Sequence, residues 1–398
     1  SPAPSQEPES LQPNRVAAAD AALSLQARAW LDSHKGLDTS DIIDITLFDY
    51  SVLDDDADEH WSSNKDDGIN EHGDTPFDFV GDGGEVDSHG MLNTWTSTSA
   101  QGDNPGQPGG VLQGIVADEL SNGYPRLDWS YTSGGWKYTD TDSLAYLFND
   151  DEYQNWNGQK YKKVYDSVNY LLQKDGDTYY YDSSENFATL KRESGQNNIY
   201  LYDVARGDGT GVPADLAQFL PFNDLNGNST SKGTYTEYGI SGSANYHFGM
   251  TVGFDFIMPR DGKVNGQEMV FEFEGDDDVW VFIDGKLVLD MGGIHDNYGG
   301  SINFATGEVK VERVNIGSPG DSTVNESQTT KDLWDLLGTT KDEFTYDTHR
   351  LEFFYLERGA GGSNCKLSFN LPAIPSNSLN VTKEVTANNE AAEYLLGK

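Results

Sequence analysis

The sequence predicts a mainly β protein: an antiparallel β-sandwich carrying a long irregular α+β insertion and an N-terminal helix. Three observations lead there. From Phe219 onward, short apolar runs with β-branched and aromatic residues recur, most of them separated by Gly, Asp and Asn turns. That half holds one convincing short helix, Lys331–Leu337. Aromatic residues reach 12% of 398, so the chain can bury a core although its hydrophobic content is 36%.

Taken in order, residues 1–14 read as a disordered Pro/Ser/Glu linker. Arg15–His34 is Ala-rich and free of proline, which predicts a helix stopped at Gly36. Ile42–Tyr50 alternates as a strand does. Residues 51–215 form a large insertion or subdomain, opening with the acidic run Asp54–Glu59 and too long for an ordinary loop. Within it, Asp175–Asp182 and Asn198–Val204 resemble hairpin strands, with Asp-Gly turn chemistry at the first. The strands expected beyond it are Phe248–Met258, Glu268–Glu274, Val279–Ile283, Lys286–Asp290, Ser301–Phe304, Gly307–Val314, His349–Glu357 and Lys366–Leu371. Pro372 and Pro375 break the last of these, and residues 376–398 begin a further alternating segment, the expected start of a following domain.

With 66 acidic and 26 basic residues the net charge is −40. Phosphate recognition needs a basic face, so a nucleic-acid partner is excluded, and adsorption to an anionic membrane is disfavoured for the same reason. The charge suits a secreted or surface protein that coordinates divalent cations. Cys365 stands alone, which rules out an intrachain disulfide, and no run of 18 apolar residues occurs.

The densest chemistry lies in Phe271–Asp290, where Asp276, Asp277 and Asp278 stand between two strand-like runs. Three adjacent carboxylates make either a solvated turn or a site for a hard cation, which takes six to eight oxygen ligands. Trp280 sits in a strand apolar on both faces, so it is expected in the core. The Gly-rich segment Glu357–Asn364 can approach a ligand closely, but it precedes no helix and is no phosphate cradle. Asp224–Thr230 has oxygen donors at alternate positions without completing a calcium loop. His247 and His295 sit among apolar and glycine residues and read as turn or core histidines. No zinc, triad or nucleophile-elbow pattern occurs, so a non-enzyme is expected.

Together, Phe271–Asp290, Gly292–His295 and Tyr355–Phe369 resemble the fibro-slime domain. This is a branch of the lectin-like β-sandwich family named after the N-terminal domain of bacterial protective antigen. The motif places are filled by Asp276, Asp277, Ile283–Lys286 and Asp290. The resemblance covers residues 215–372 most specifically and extends the domain to 15–372. It implies a Gram-positive, gut-type bacterial surface adhesin: secreted, wall-anchored, monomeric as a module, and continuous with stalk domains. It further implies a calcium ion held by Asp276 and Asp277 across a cis peptide, with Asp278 pointing away. Glu357 and Asn364 would complete the metal site. Asp276, Asp277, Arg358, Gly361 and Asn364 would contact a glycan or glycoprotein ligand. Glu357 stands where related lectins often have Asn, which tightens calcium while leaving fewer places for a sugar. The alternative partner is a host protein, with the Asp site structural. The tail Leu379–Val385 is similar to the first strand of collagen-adhesin B-type stalk domains, which implies an isopeptide lysine at Lys383.

Overall fold

The structure, a computed structural model, describes residues 36–50, 111, 113–133, 136–141, 143–151, 162–204, 211–212, 214–224, 244–246, 248–293, 295, 297–314, 329–357 and 362–375. The expected linker 1–14, helix Arg15–His34, residues 51–110 and the tail 376–398 with Lys383 lie outside these.

In chain order the elements are β1 (Asp44–Asp49), β2 (Trp129–Ser133), β3 (Trp136–Asp140), α1 (Ala145–Phe148), β4 (Lys163–Tyr165), β5 (Gln173–Asp175), β6 (Thr178–Asp182), β7 (Asn186–Glu193) and β8 (Gln196–Asp203). The second half brings β9 (Phe248–Ile257), β10 (Lys263–Val264), β11 (Gln267–Glu268), β12 (Val270–Gly275), β13 (Asp278–Ile283), β14 (Lys286–Met291), β15 (Tyr298–Asn303) and β16 (Glu308–Arg313). β17 (Thr329–Asp332), α2 (Leu333–Leu337), α3 (Lys341–Phe344), β18 (Thr348–Glu357), β19 (Cys365–Phe369) and β20 (Ala373–Ile374) follow.

Two seven-stranded sheets form the sandwich. The first runs β14-β13-β18-β9-β1-β4, with β20 also on β9, and the second runs β17-β16-β15-β12-β19-β6-β5. Every pairing between these strands is antiparallel. The predicted fold class is therefore the observed one. Period-two alternation explains the inner layer: Phe254 of the first sheet stacks on Phe369 of the second at 4.6 Å between ring centroids. Phe271 and Phe273 of the second sheet meet Phe353 of the first. Strand β13 is buried along its whole length. Val279, Val281 and Ile283 join the inter-sheet core, while Trp280 and Phe282 join a second apolar cluster on the outer face. That cluster is closed by Ile115, Val116, Leu127, Leu144, Leu147 and Phe148, from the covering stretches 113–128 and 143–148. Trp280 is fully buried, as the two-sided apolar pattern predicts.

The region read as an insertion is partly built into the sandwich. β4 pairs with β1, and β5 and β6 extend the second sheet beyond β19. Asp175–Asp182 folds back on itself as part of the β5–β6 hairpin, turning at Gly176 with φ +58. Asn198–Val204 does not pair with it as expected: it lies mostly in β8, which pairs with β7 in a separate two-stranded sheet. Several elements escaped the sequence reading, among them β2, β3, β7, β17 and α3. The helix α3 carried a legible signal, because Thr340 and Glu343 form a capping box. Helix α2 is capped by Asp332, whose carboxylate accepts from the N–H groups of Trp334 and Asp335, and it ends at Gly338 with φ +65.

Candidate functional site

The Asp276–Asp278 run is not the turn of a hairpin. β12 belongs to the second sheet and β13 to the first, so Asp276 and Asp277 carry the chain across one end of the sandwich. A second crossing, from β18 to β19, lies against it: Asp278 pairs with Leu356, and Gly275 pairs with Cys365. The crossings fit tightly, since a Cβ on Gly275 would come 2.2 Å from the Asn364 carbonyl oxygen. Gly362, at φ +112, leaves its face open to an Asp276 carboxylate oxygen. Asp277 makes the change of direction with φ +62, a left-handed conformation that Asp tolerates better than most residues. The peptide joining the pair is trans, which corrects the implied cis bond; Asp277's positive φ performs the reversal instead.

Asp276 accepts a 2.6 Å hydrogen bond from the Asn364 backbone N–H and a 3.3 Å bond from its Nδ2. Burial and the neighbouring Asp277 carboxylate nevertheless push its pKa up to about 7, against the opposing pull of the Asn364 donors. Glu357, the last residue of β18, is fully buried. Its Oε2 accepts from the Tyr355 hydroxyl at 2.8 Å, while Oε1 is buried without a hydrogen-bond partner. Burial, then Asp277 and Asp276, drive the Glu357 carboxyl well above its ordinary range, against the weaker pull of the Ser363 and Tyr355 hydroxyls. Asp277 is 3% exposed. The structure thus brings together four of the expected site residues: Asp276, Asp277, Glu357 and Asn364. Arg358 and Gly361 lie outside the described residues.

Asp278 corrects the reading that it points away in a turn. It is the first residue of β13, fully buried, and its Oδ1 accepts from the Gly293 N–H at 2.6 Å. It holds the end of β14 in place. Tyr355 was not anticipated, although it shares a face with Glu357 two residues on, which was the available signal.

The rest of the motif is structural. At the β13–β14 turn, Asp284 and Gly285 take φ +51 and +76. The Asp284 carboxylate bonds His349 Nδ1 at 2.6 Å and the Arg350 N–H at 2.9 Å. Burial opposes ionisation there, but the His349 and Arg350 bonds outweigh it and hold the pKa below the usual value. Lys286 Nζ donates to the Leu337 carbonyl at 2.8 Å and so closes the end of α2. Asp290 is buried, accepts from the Gly114 N–H at 2.6 Å, and is raised to about 6, chiefly by burial. His295 is buried, with Nε2 3.3 Å from the Met291 carbonyl oxygen, in line with a core role. His247 and residues 225–230 of the Asp224 loop lie outside the described residues.

Calcium fits the donor chemistry, which is all oxygen: crowded carboxylates and one buried carboxylate oxygen without a hydrogen-bond partner. Among the described residues, however, no three His, Cys, Asp or Glu side chains are grouped as a ready-made metal shell. Main-chain carbonyls, the Asn364 amide oxygen and water would have to complete the coordination.

No family model matches the chain. Its relatives among curated proteins include protein psiF of Dictyostelium discoideum, 31% identical over 185 residues, which cover 46% of this chain and 21% of psiF. Protein psiB of the same organism is 47% identical over 112 residues, covering 27% of this chain and 16% of psiB. The chain thus spans about a fifth or less of the relatives it matches. These relatives lend no support to the Gram-positive bacterial origin read from the motifs. Among solved structures, the chain is similar to a PA14 sugar-binding domain from an RTX adhesin, with 10% identity and a TM-score of 0.17, over 50% of this chain and 77% of that one. The PA14 domain of the MpAFP antifreeze protein gives 8% identity and a TM-score of 0.16, over 49% and 65%. At such scores neither likeness bears on fold or function. Among the described residues no helix is long and apolar enough to cross a membrane.

Proposed function

We propose that the chain is a non-catalytic, extracellular adhesin module that binds glycan hydroxyls through a calcium ion held by Asp276, Asp277 and Glu357. The observation that carries this reading is the Glu357 Oε1, buried without a partner beside two aspartates that repel its charge. An uncompensated buried carboxylate is costly, and a divalent cation supplies the missing compensation. Calcium suits the site because it accepts irregular shells of carboxylate, carbonyl and water oxygens. Arg358 and Gly361, in the Gly-rich sequence between β18 and β19, are the proposed sugar-contacting residues.

The test is calcium titration by calorimetry, followed by a glycan array with and without chelator. Calcium binding, with glycan signal that chelator and Asp277→Ala both abolish, supports the reading. A chain that binds no calcium overturns it. No turnover is expected on a chromogenic glycoside panel, and turnover would also overturn it.

A second reading is favoured by the exposures. Asp277 is 3% exposed and Glu357 is closed off entirely, which suits an ion that ties the two crossings together rather than one that reaches a sugar. The module would then bind a protein partner by shape and charge. Calcium binding without any glycan signal selects this reading.

A further inference from the structure

We propose that Lys162 and Asn149 become joined by an isopeptide bond, formed with loss of ammonia, which staples the covering layer onto the first sheet. Lys162 immediately precedes β4, and it is fully buried. Its Nζ lies 5.5 Å from the centroid of the Phe48 ring. The same Nζ is 2.7 Å from Asn149 Oδ1, one bond removed from the amide carbon. It also lies 2.6 Å from the Asn149 carbonyl oxygen and 3.0 Å from that of Tyr146, which anchor the lysine at the end of α1.

Besides Lys162, Asp151 contacts both ends of the amide. The Asp151 N–H donates to Asn149 Oδ1 at 3.2 Å, where negative charge develops when the carbonyl is attacked. Asn149 Nδ2, the leaving nitrogen, donates to the Asp151 carboxylate at 3.1 Å. Once deprotonated, an amine held out of water beside a carbonyl can act as a nucleophile, and Lys162 is fully buried with its Nζ against the Asn149 amide. Nζ gives up protons, attacks Cγ and forms the new C–N bond. The Cγ–Nδ2 bond then breaks, with the Asp151 carboxyl shuttling protons to the departing nitrogen. The lysine ammonium and the primary amide become a secondary amide and ammonium. Charge and atoms balance, and no oxidant or cofactor is needed.

Such a bond would suit this chain. With a single cysteine it has no disulfide, and α1 belongs to the layer that covers Trp280 and Phe282. Tyr50 donates to the Leu147 carbonyl at 2.8 Å, a further tie between α1 and the first sheet. Closing a covalent loop from 149 to 162 would restrict the unfolded state and keep the cover in place.

Intact-mass measurement of the full chain tests this directly. The expected result is a mass lighter than the sequence by one ammonia, with a branched peptide linking residues 149 and 162 after proteolysis. Lys162→Arg keeps the cation and its acceptors but cannot form the amide, so its mass should be that of its sequence. Asp151→Ala should slow or abolish the loss. A wild-type chain with the full sequence mass overturns the proposal and leaves Lys162 as a cation capping α1. A loss of ammonia that persists in Lys162→Arg overturns it equally, because the reaction would then lie elsewhere.

Discussion

Two aspartate turns seven residues apart meet opposite fates. Asp276 and Asp277 open β13, and Asp284 closes it. Asp284 faces an imidazole and a backbone N–H, and its carboxyl is held below the usual range. Asp276 has donors too, from Asn364, yet its pKa rises to about 7 because burial and Asp277 outweigh them. The same residue type thus acts as a strut in one turn and as stored repulsion in the other. What differs is the chain facing each turn: β18 (Thr348–Glu357) presents His349 near its start and Glu357 at its end.

Breaking the strand that joins the turns should have the largest effect. Trp280→Ala removes a fully buried indole, and denaturant unfolding is expected to show a loss of about 3–5 kcal/mol. Next comes the ion. Calcium at about a hundred times its Kd should stabilise the chain by about 2.7 kcal/mol. Glu357→Gln should weaken calcium about tenfold or more, and unchanged affinity would remove Glu357 from the ligand set. Smaller again is the strut: Asp284→Ala should lower stability by about 1 kcal/mol, the carboxylate being 45% exposed. Smallest, and opposite in sign, is Asp277→Asn in calcium-free buffer, which should raise the melting temperature by relieving like-charge repulsion. If Asp284→Ala and Asp277→Asn shift the melt in the same direction, the contrast between the turns fails.

Acidity should separate the turns as well. For Asp276 the folded pKa lies above the unfolded value, so the calcium-free folded chain retains a proton that the unfolded chain releases. Its contribution to stability therefore falls as pH rises from 3.8 to about 7. Asp284 is depressed, so its contribution is present above the ordinary value and is lost as pH falls through the lowered one. Melting curves between pH 4 and pH 8, with calcium and with chelator, should show calcium stabilising most at the upper end, with protons released on binding.

Much of the strand pattern was written locally. Val279–Ile283 and His349–Glu357 show their character in composition alone, and their observed bounds shift by a residue at most. Short or polar elements were not legible: β17, Thr-Thr-Lys-Asp, is strand only because β16 offers it partners. The candidate site was half legible. The motif nominated Asp276, Asp277, Glu357 and Asn364, and the structure brings those four together. It did not reveal that Asp278 is a buried peg or that Tyr355 holds one oxygen of Glu357.

The sequence by itself determined the β class, the acidic charge, the buried Trp280 and the residue types at the two crossings, because period, propensity and turn chemistry act over a few residues. Only the tertiary structure decided that β12 and β13 lie in different sheets. Strand pairing is a choice among distant partners that the local pattern does not encode. That choice turns three aspartates that look like a solvated turn into two carboxylates crossing the end of a sandwich, with a buried glutamate from another strand beside them.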